Sequence, residues 1–149
     1  MQLANEAATI ANKGYYITPH LNKKYPTDTA KHVTNIEPQH FDIVHRGMHR
    51  MMTNGTGRYY NINALMMCGK TGTAQILENG RYSGRKHRMT FVGYFPEENP
   101  QYTCICMINH PKVWGYDAGY DCGGVVRIIA EKTIANVDCY KDGTLLKRK

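Results

Sequence analysis

At 149 residues, with 42% hydrophobic and 21% charged side chains, the chain is long enough to bury a core as one compact domain and too apolar to be disordered. No stretch nears the ~20 uninterrupted apolar residues of a membrane span, and the start M-Q-L-A-N-E-A-A-T-I lacks the basic-then-apolar pattern of a secretory signal. The net charge of +7 would favour a polyanion, but the basic residues are dispersed. Only Arg81, Arg85, Lys86, His87 and Arg88 cluster, a run that a solvated Gly-rich connection explains, so no nucleic-acid partner is expected.

In chain order, Leu3, Ala7 and Ile10 share one helical stripe over residues 2–12, and Asn12-Lys13-Gly14 supplies the stop. Y-Y-I-T-P-H-L reads as extended, because Pro19 forbids a helix, and the polar run from Asn22 to Asn35 reads as a surface connection. At Ile36-Glu37-Pro38 the proline suits the first turn of a helix. Phe41, Val44, Met48 and Met51 then mark its apolar, core-facing stripe, and N-G-T-G at 54–57 ends it.

Three strands are predicted next: Ala64 to Ile76, Arg88 to Phe95, and Tyr102 to His110. The short P-E-E-N-P link makes the last two an antiparallel hairpin. The third is apolar on both faces, which places it in the middle of a sheet flanked by helices. A final helix after Gly123-Gly124 carries Val125, Ile128, Ile129, Lys132, Ile134 and Val137, and the polar tail 138–149 is expected to fray.

The five cysteines Cys68, Cys104, Cys106, Cys122 and Cys139 contain no C-x-x-C, and no closely spaced histidine pair comes with a matching cysteine pair. No metal and no cofactor are therefore expected. Cys104 and Cys106 alternate along the third strand and so point to one sheet face as small buried hydrophobes.

The octet C-G-K-T-G-T-A-Q at 68–75 holds two signatures at once. Gly69-Lys70-Thr71 is how a P-loop ends, but that loop needs a glycine at position 64, where Ala64 stands, and a helix after the threonine, where no 3.6 period is sustained. Lys70-Thr71-Gly72 is also the third motif of serine penicilloyl-transfer enzymes. There the lysine is a fixed charge beside a nucleophile, the next hydroxyl holds a substrate carboxylate, and the glycine leaves room for substrate backbone. The amide after it, here that of Thr73, points at the developing oxyanion.

The surroundings of this motif resemble the class B penicillin-binding proteins, the peptidoglycan D,D-transpeptidases of the bacterial cell wall. The resemblance rests on Q-L-A-N-E-A-A-T-I-A-N-K-G-Y-Y-I-T-P-H-L, G-M-H-R-M-M-T-N-G-T-G, C-G-K-T-G-T-A-Q, F-V-G-Y-F-P-E-E-N-P-Q-Y and G-G-V-V-R-I-I-A-E-K, in family order over nearly the whole chain. It implies an α/β domain of the α+β type, with an antiparallel sheet, here of about three strands, and helices on both faces. It also implies an acyl-enzyme mechanism, in which serine attacks the D-Ala-D-Ala end of a stem peptide and a second stem peptide's amine resolves the ester. β-Lactams would mimic the donor. By resemblance Lys70 is catalytic, tuning the proton relay, and Thr71, Gly72 and Thr73 bind substrate.

The family's S-x-x-K and S-x-N motifs are not found as the family uses them. The single serine, Ser83, begins S-G-R-K, but after K-T-G rather than before it and in an expected loop. Tyr59-Tyr60-Asn61 stands too close to the K-T-G strand to serve as the second motif. The resemblance thus implies that residues 1–137 are the C-terminal portion of a transpeptidase domain whose other half supplies the nucleophile. It further implies a parent anchored in the inner membrane, facing the periplasm and working with the cell-wall synthesis machinery. An inert binding or structural module on the same scaffold is the alternative, with a P-loop protein third.

Overall fold

The computed structural model describes residues 1–21, 30–62, 65–112, 118–136, 140–141 and 144–145. Helix α1 spans Gln2–Ala11, close to expectation, and the chain reverses after it through Lys13 and Gly14, both at positive φ. β1 (Tyr15–Ile17) pairs antiparallel with β2 (Lys31–Val33). The second of these strands falls within the run read as a surface connection, which is a correction. A polar strand such as Lys31-His32-Val33 shows no alternation to betray it, and cross-strand stacking of Tyr16 on His32, with centroids 4.9 Å apart, helps to hold it. Asn22 to Thr29 of that run lie outside the described residues.

α2 runs Pro38–Thr53 with proline in its first turn and buries Phe41, Met48 and Met52, whereas Val44 of the predicted stripe is 43% exposed. A 3₁₀ turn, Arg58–Tyr60, follows. The main sheet then forms from β3 (Cys68–Glu78), β4 (Arg81–Phe95) and β5 (Tyr102–Asn109), in the order β3-β4-β5 and antiparallel throughout.

Two expectations about this sheet need correcting. The stretch from Leu77 to His87 is no loop: β3 and β4 extend into a long ribbon closed by Asn79-Gly80, whose φ values of 49° and 77° are the left-handed pair that a two-residue hairpin turn needs. The basic cluster therefore lies on a strand, with Lys86 ion-paired to Glu78. Among the described residues it is β4, not β5, that is central. β5 is apolar on both faces because α1 packs on one side of it and α3 on the other, not because strands flank it.

α3 spans Ala118–Asn136, so Gly123 and Gly124 lie inside the helix rather than before it. The ring of Tyr60 packs there, 3.3 Å from where a Cβ on Gly123 would stand. Its buried face is Ala118, Cys122, Val126 and Ala130, while Val125, Ile128 and Ile129 of the predicted stripe are 43%, 54% and 44% exposed. Ile134 and Val137 fall outside what is described of the side chains. In the tail, Tyr140–Lys141 and Thr144–Leu145 form a short antiparallel pair, β6 and β7, where fraying was expected.

The strand period of two sorts β4 between two layers. Met89, Phe91 and Phe95 face α3, joined by Cys104, Cys106 and Ile108 of β5. Tyr94 faces the opposite side, where it packs with Cys68, Met48 and Ile10 of the α1/α2 layer. The mixed architecture, an antiparallel three-stranded sheet with helices on both faces, is the one the sequence implies.

Candidate functional site

K-T-G stands on β3, the edge of the main sheet. Its position is set by Gly69 directly before it and by Gly93, its cross-strand partner on β4. A Cβ on Gly69 would lie 2.5 Å from the Phe91 ring, and one on Gly93 would lie 2.4 Å from the Cys68 carbonyl oxygen and 3.0 Å from the Gly69 Cα. Both glycines are needed for close packing, so Gly69 has no part in cradling a phosphate. The strand continues to Glu78 where a P-loop requires a helix, which removes the nucleotide-binding reading.

From this root the strand becomes exposed. Lys70 projects into an open apolar groove of about 550 Å³, whose walls are Leu3, Ala7 and Ile10 of α1 and Val44 and Met51 of α2. Its Nζ donates to the Thr71 carbonyl at 2.7 Å. The helical stripes expected to face a closed core thus line a groove that holds the motif lysine, with Glu6 at the same wall. The ends of those helices are tied by Lys13 and Asp42, 3.0 Å apart, and this pairing holds the Asp42 carboxyl below its ordinary value.

Thr71 turns to the other face, where its hydroxyl lies 3.1 Å from that of Thr56. Thr56 was missed in the sequence. N-G-T-G looks like a plain turn, and only the fold brings it beside residue 71, with Gly57 N–H donating to the Met51 carbonyl at 3.0 Å to close the turn. Gly72 is exposed, and a Cβ there would meet nothing within 4 Å. Thr73 is exposed as well and pairs with Met89. The four predicted residues thus form one continuous solvent-facing stretch, as edge-strand recognition of an extended peptide requires.

Ser83 lies elsewhere. It is six to seven strand positions further out along the ribbon, about 20 Å from Lys70 at the usual strand rise, and its Oγ accepts from the Lys86 amide at 3.1 Å. That geometry excludes it as a partner of Lys70. Tyr59-Tyr60-Asn61 is a packing element: Tyr60 meets Tyr120 edge-on at 5.9 Å, and the Asn61 side chain accepts from the Met67 amide at 3.3 Å.

Comparison with known proteins bears on the family and the fold. The family model of the penicillin-binding protein transpeptidase domain matches residues 1–133. The probable peptidoglycan D,D-transpeptidase PenA of Neisseria gonorrhoeae is 38% identical over 69 residues, covering 46% of this chain and 12% of that protein. Penicillin-binding protein 2B of Streptococcus pneumoniae is 32% identical over 133 residues, covering 74% of this chain and 19% of the relative. The chain therefore spans less than a fifth of these curated relatives. Among solved structures, penicillin-binding protein 3 of Mycobacterium tuberculosis superposes with a TM-score of 0.75 at 21% identity, over 99% of this chain and 37% of that one. The transpeptidase domain of Burkholderia pseudomallei penicillin-binding protein 3 gives 0.71 at 24% identity, over 90% and 41%. With the family match running over all three strands of the main sheet and most of α3, the chain belongs to the transpeptidase-domain family of the class B penicillin-binding proteins.

Proposed function

We propose that this chain is the C-terminal portion of a peptidoglycan D,D-transpeptidase domain and supplies its substrate-holding wall. The observation that carries the reading is the exposed edge-strand run Lys70-Thr71-Gly72-Thr73, with the lysine in an apolar groove and the Thr71 hydroxyl beside that of Thr56. The serine nucleophile belongs to the other half of the domain, which seats on that groove and on the apolar residues exposed along α3. Coverage of only 37% to 41% of the superposed structures supports a domain larger than this chain.

In the assembled site the donor stem peptide, ending in D-Ala-D-Ala, lies along the β3 edge. Gly72 leaves space for its backbone, and the hydroxyl of Thr71 donates a hydrogen bond to its terminal carboxylate. The charge on Lys70 favours that carboxylate and the proton transfers around the attacking serine. The Thr73 N–H and the nucleophile's own N–H form the oxyanion hole, stabilising the tetrahedral intermediate from which D-Ala leaves. An amine of a neighbouring stem peptide then takes the acyl group, completing the cross-link. β-Lactams occupy the same place and remain as the ester; the M. tuberculosis relative has been solved in complex with ampicillin. The setting is the periplasmic face of the inner membrane, with the parent anchored there among the cell-wall synthesis proteins.

Fluorescent penicillin tests the reading. The chain alone should take no covalent label, and the complete domain should label at a serine outside this chain and lose labelling in Lys70→Ala. Labelling of the isolated chain would mean that the nucleophile is among these 149 residues and would defeat the proposal. No labelling of the complete domain would instead favour an inert module on the same scaffold.

A further inference from the structure

On the α2 side of the β3 root, away from the K-T-G edge, four side chains capable of binding a metal converge. His45 and His49 stand one helical turn apart on α2, Cys68 opens β3, and Glu97 follows β4. One ligand atom each from His45, Cys68 and Glu97 lie within 4.8 Å of one another. His45 Nε2 is 3.1 Å from Glu97 Oε1, and His49 Nδ1 is 2.8 Å from the same oxygen. The second nitrogen of His45, Nδ1, lies 2.7 Å from the Tyr94 hydroxyl.

The backbone holds these groups in place independently of any ion. Cys68 and Tyr94 are cross-strand partners, and the Glu97 amide donates to the Met66 carbonyl at 2.8 Å. Cys68 is fully buried, whereas the side chains of His45, His49 and Glu97 are 29%, 34% and 17% exposed, so the cluster opens to solvent past the helix.

We propose that His45 Nε2, Cys68 Sγ and a Glu97 carboxylate oxygen form a binding site for a divalent transition metal of the zinc class, with His49 as the hydrogen-bonding partner that orients Glu97. The donor set of imidazole, thiolate and carboxylate is the one zinc takes. Tetrahedral coordination with zinc–nitrogen and zinc–oxygen bonds near 2.0 Å places those ligands about 3.3 Å apart, close to the observed 3.1 Å. The Cys68 sulfur belongs to the same set of ligand atoms within 4.8 Å of one another, and a side-chain rotation brings it to bonding distance. A water fills the fourth position.

Protons balance simply. The Cys68 thiol releases its proton to solvent, and the His45 proton moves from Nε2 to Nδ1, from where it is donated to the Tyr94 oxygen. Ligand orientation by Tyr94 and His49 is the outer-shell support such sites need. The expectation of no metal rested on the lack of a compact cysteine–histidine motif, and these ligands are spread from position 45 to position 97. The bound ion would strap α2 to the strand root two residues before Lys70. The competing account is a metal-free network in which Glu97 simply accepts from both histidines.

The test is titration of the tag-free chain with cobalt(II) and with zinc(II), read by absorption, equilibrium dialysis and mapped cysteine alkylation. The site predicts stoichiometric cobalt with a thiolate-to-metal charge-transfer band, displaced by zinc and absent in Cys68→Ser. His49→Ala should weaken affinity by about tenfold or more, as loss of an outer-shell partner does. Wild-type protein needs no substitution for the second readout: zinc should protect Cys68 from alkylation and leave Cys104 unprotected. Absence of stoichiometric binding, a band that survives Cys68→Ser, or no protection of Cys68 would each overturn the proposal.

Discussion

At its root β3 is enclosed: Cys68 and Gly69 are buried, Phe91 lies under Gly69, and the Cys68 carbonyl sits where a side chain on Gly93 would go. From Lys70 the same strand runs into the open, with Gly72 and Thr73 exposed and free space above Gly72. The enclosed part carries stability, and the open part carries the proposed recognition. One motif, C-G-K-T-G, spans the change, so its two glycines answer to different physics and should fail in different ways.

The largest effect is expected at the enclosed end. Phe91 is 1% exposed between α3 and Gly69, and Phe91→Ala should cost about 4 kcal/mol, combining lost burial with a residual cavity. Urea unfolding measures it; a loss under about 1 kcal/mol would mean that the root is loosely packed. Gly93→Ala comes next, at about 2–3 kcal/mol, because its methyl meets backbone rather than a side chain that could turn away. A variant as stable as wild type would show that β3 and β4 can separate without cost.

At the open end the order reverses. Gly72→Ala should leave unfolding within about 0.5 kcal/mol of wild type, as exposed substitutions do. In the complete domain, however, a methyl in the peptide's path should slow penicillin acylation by about a hundredfold, the scale of a misplaced reacting group. Unchanged acylation would remove Gly72 from the proposed site. Thr71→Ala loses one exposed contact to Thr56, so it too should act on acylation and hardly on stability.

The smallest effect concerns the exposed ion pair Lys13–Asp42, which ties the chain after α1 to the start of α2. Lys13, by its hydrogen bond and its charge, holds the Asp42 carboxyl below the ordinary range of an aspartate. A carboxyl lowered in the folded state stabilises it above the unfolded pKa, and the contribution is lost as pH falls through the folded value. The melting-temperature difference between wild type and Asp42→Asn should therefore be slight at neutral pH, shrink below about pH 4, and vanish at lower pH. A difference that grows on acidification would reverse the assigned sign.

Much of this was legible because the signals are local. Pro38 in a first turn, the stripe from Phe41, the P-E-E-N-P hairpin and K-T-G itself all lie within a dozen residues or fewer. Asn79-Gly80 is equally local, but the basic and glycine residues around it hide its hairpin signal, and with it the length of the ribbon. Strand order was misplaced for another reason. A run apolar on both faces reports what covers it, and β5 is covered by α1 and α3 without being central among the described strands.

By itself the sequence determined the family, the three helices α1 to α3, the presence of the three main strands and which of them bears Lys70, Thr71, Gly72 and Thr73. Local propensity and short motifs suffice for these. Only the tertiary structure decided which face of α3 is buried, that Thr56 stands beside Thr71, and that His45, Cys68 and Glu97 meet. Each of those depends on two or more elements docking at a fixed register. No periodicity along a single segment carries that information.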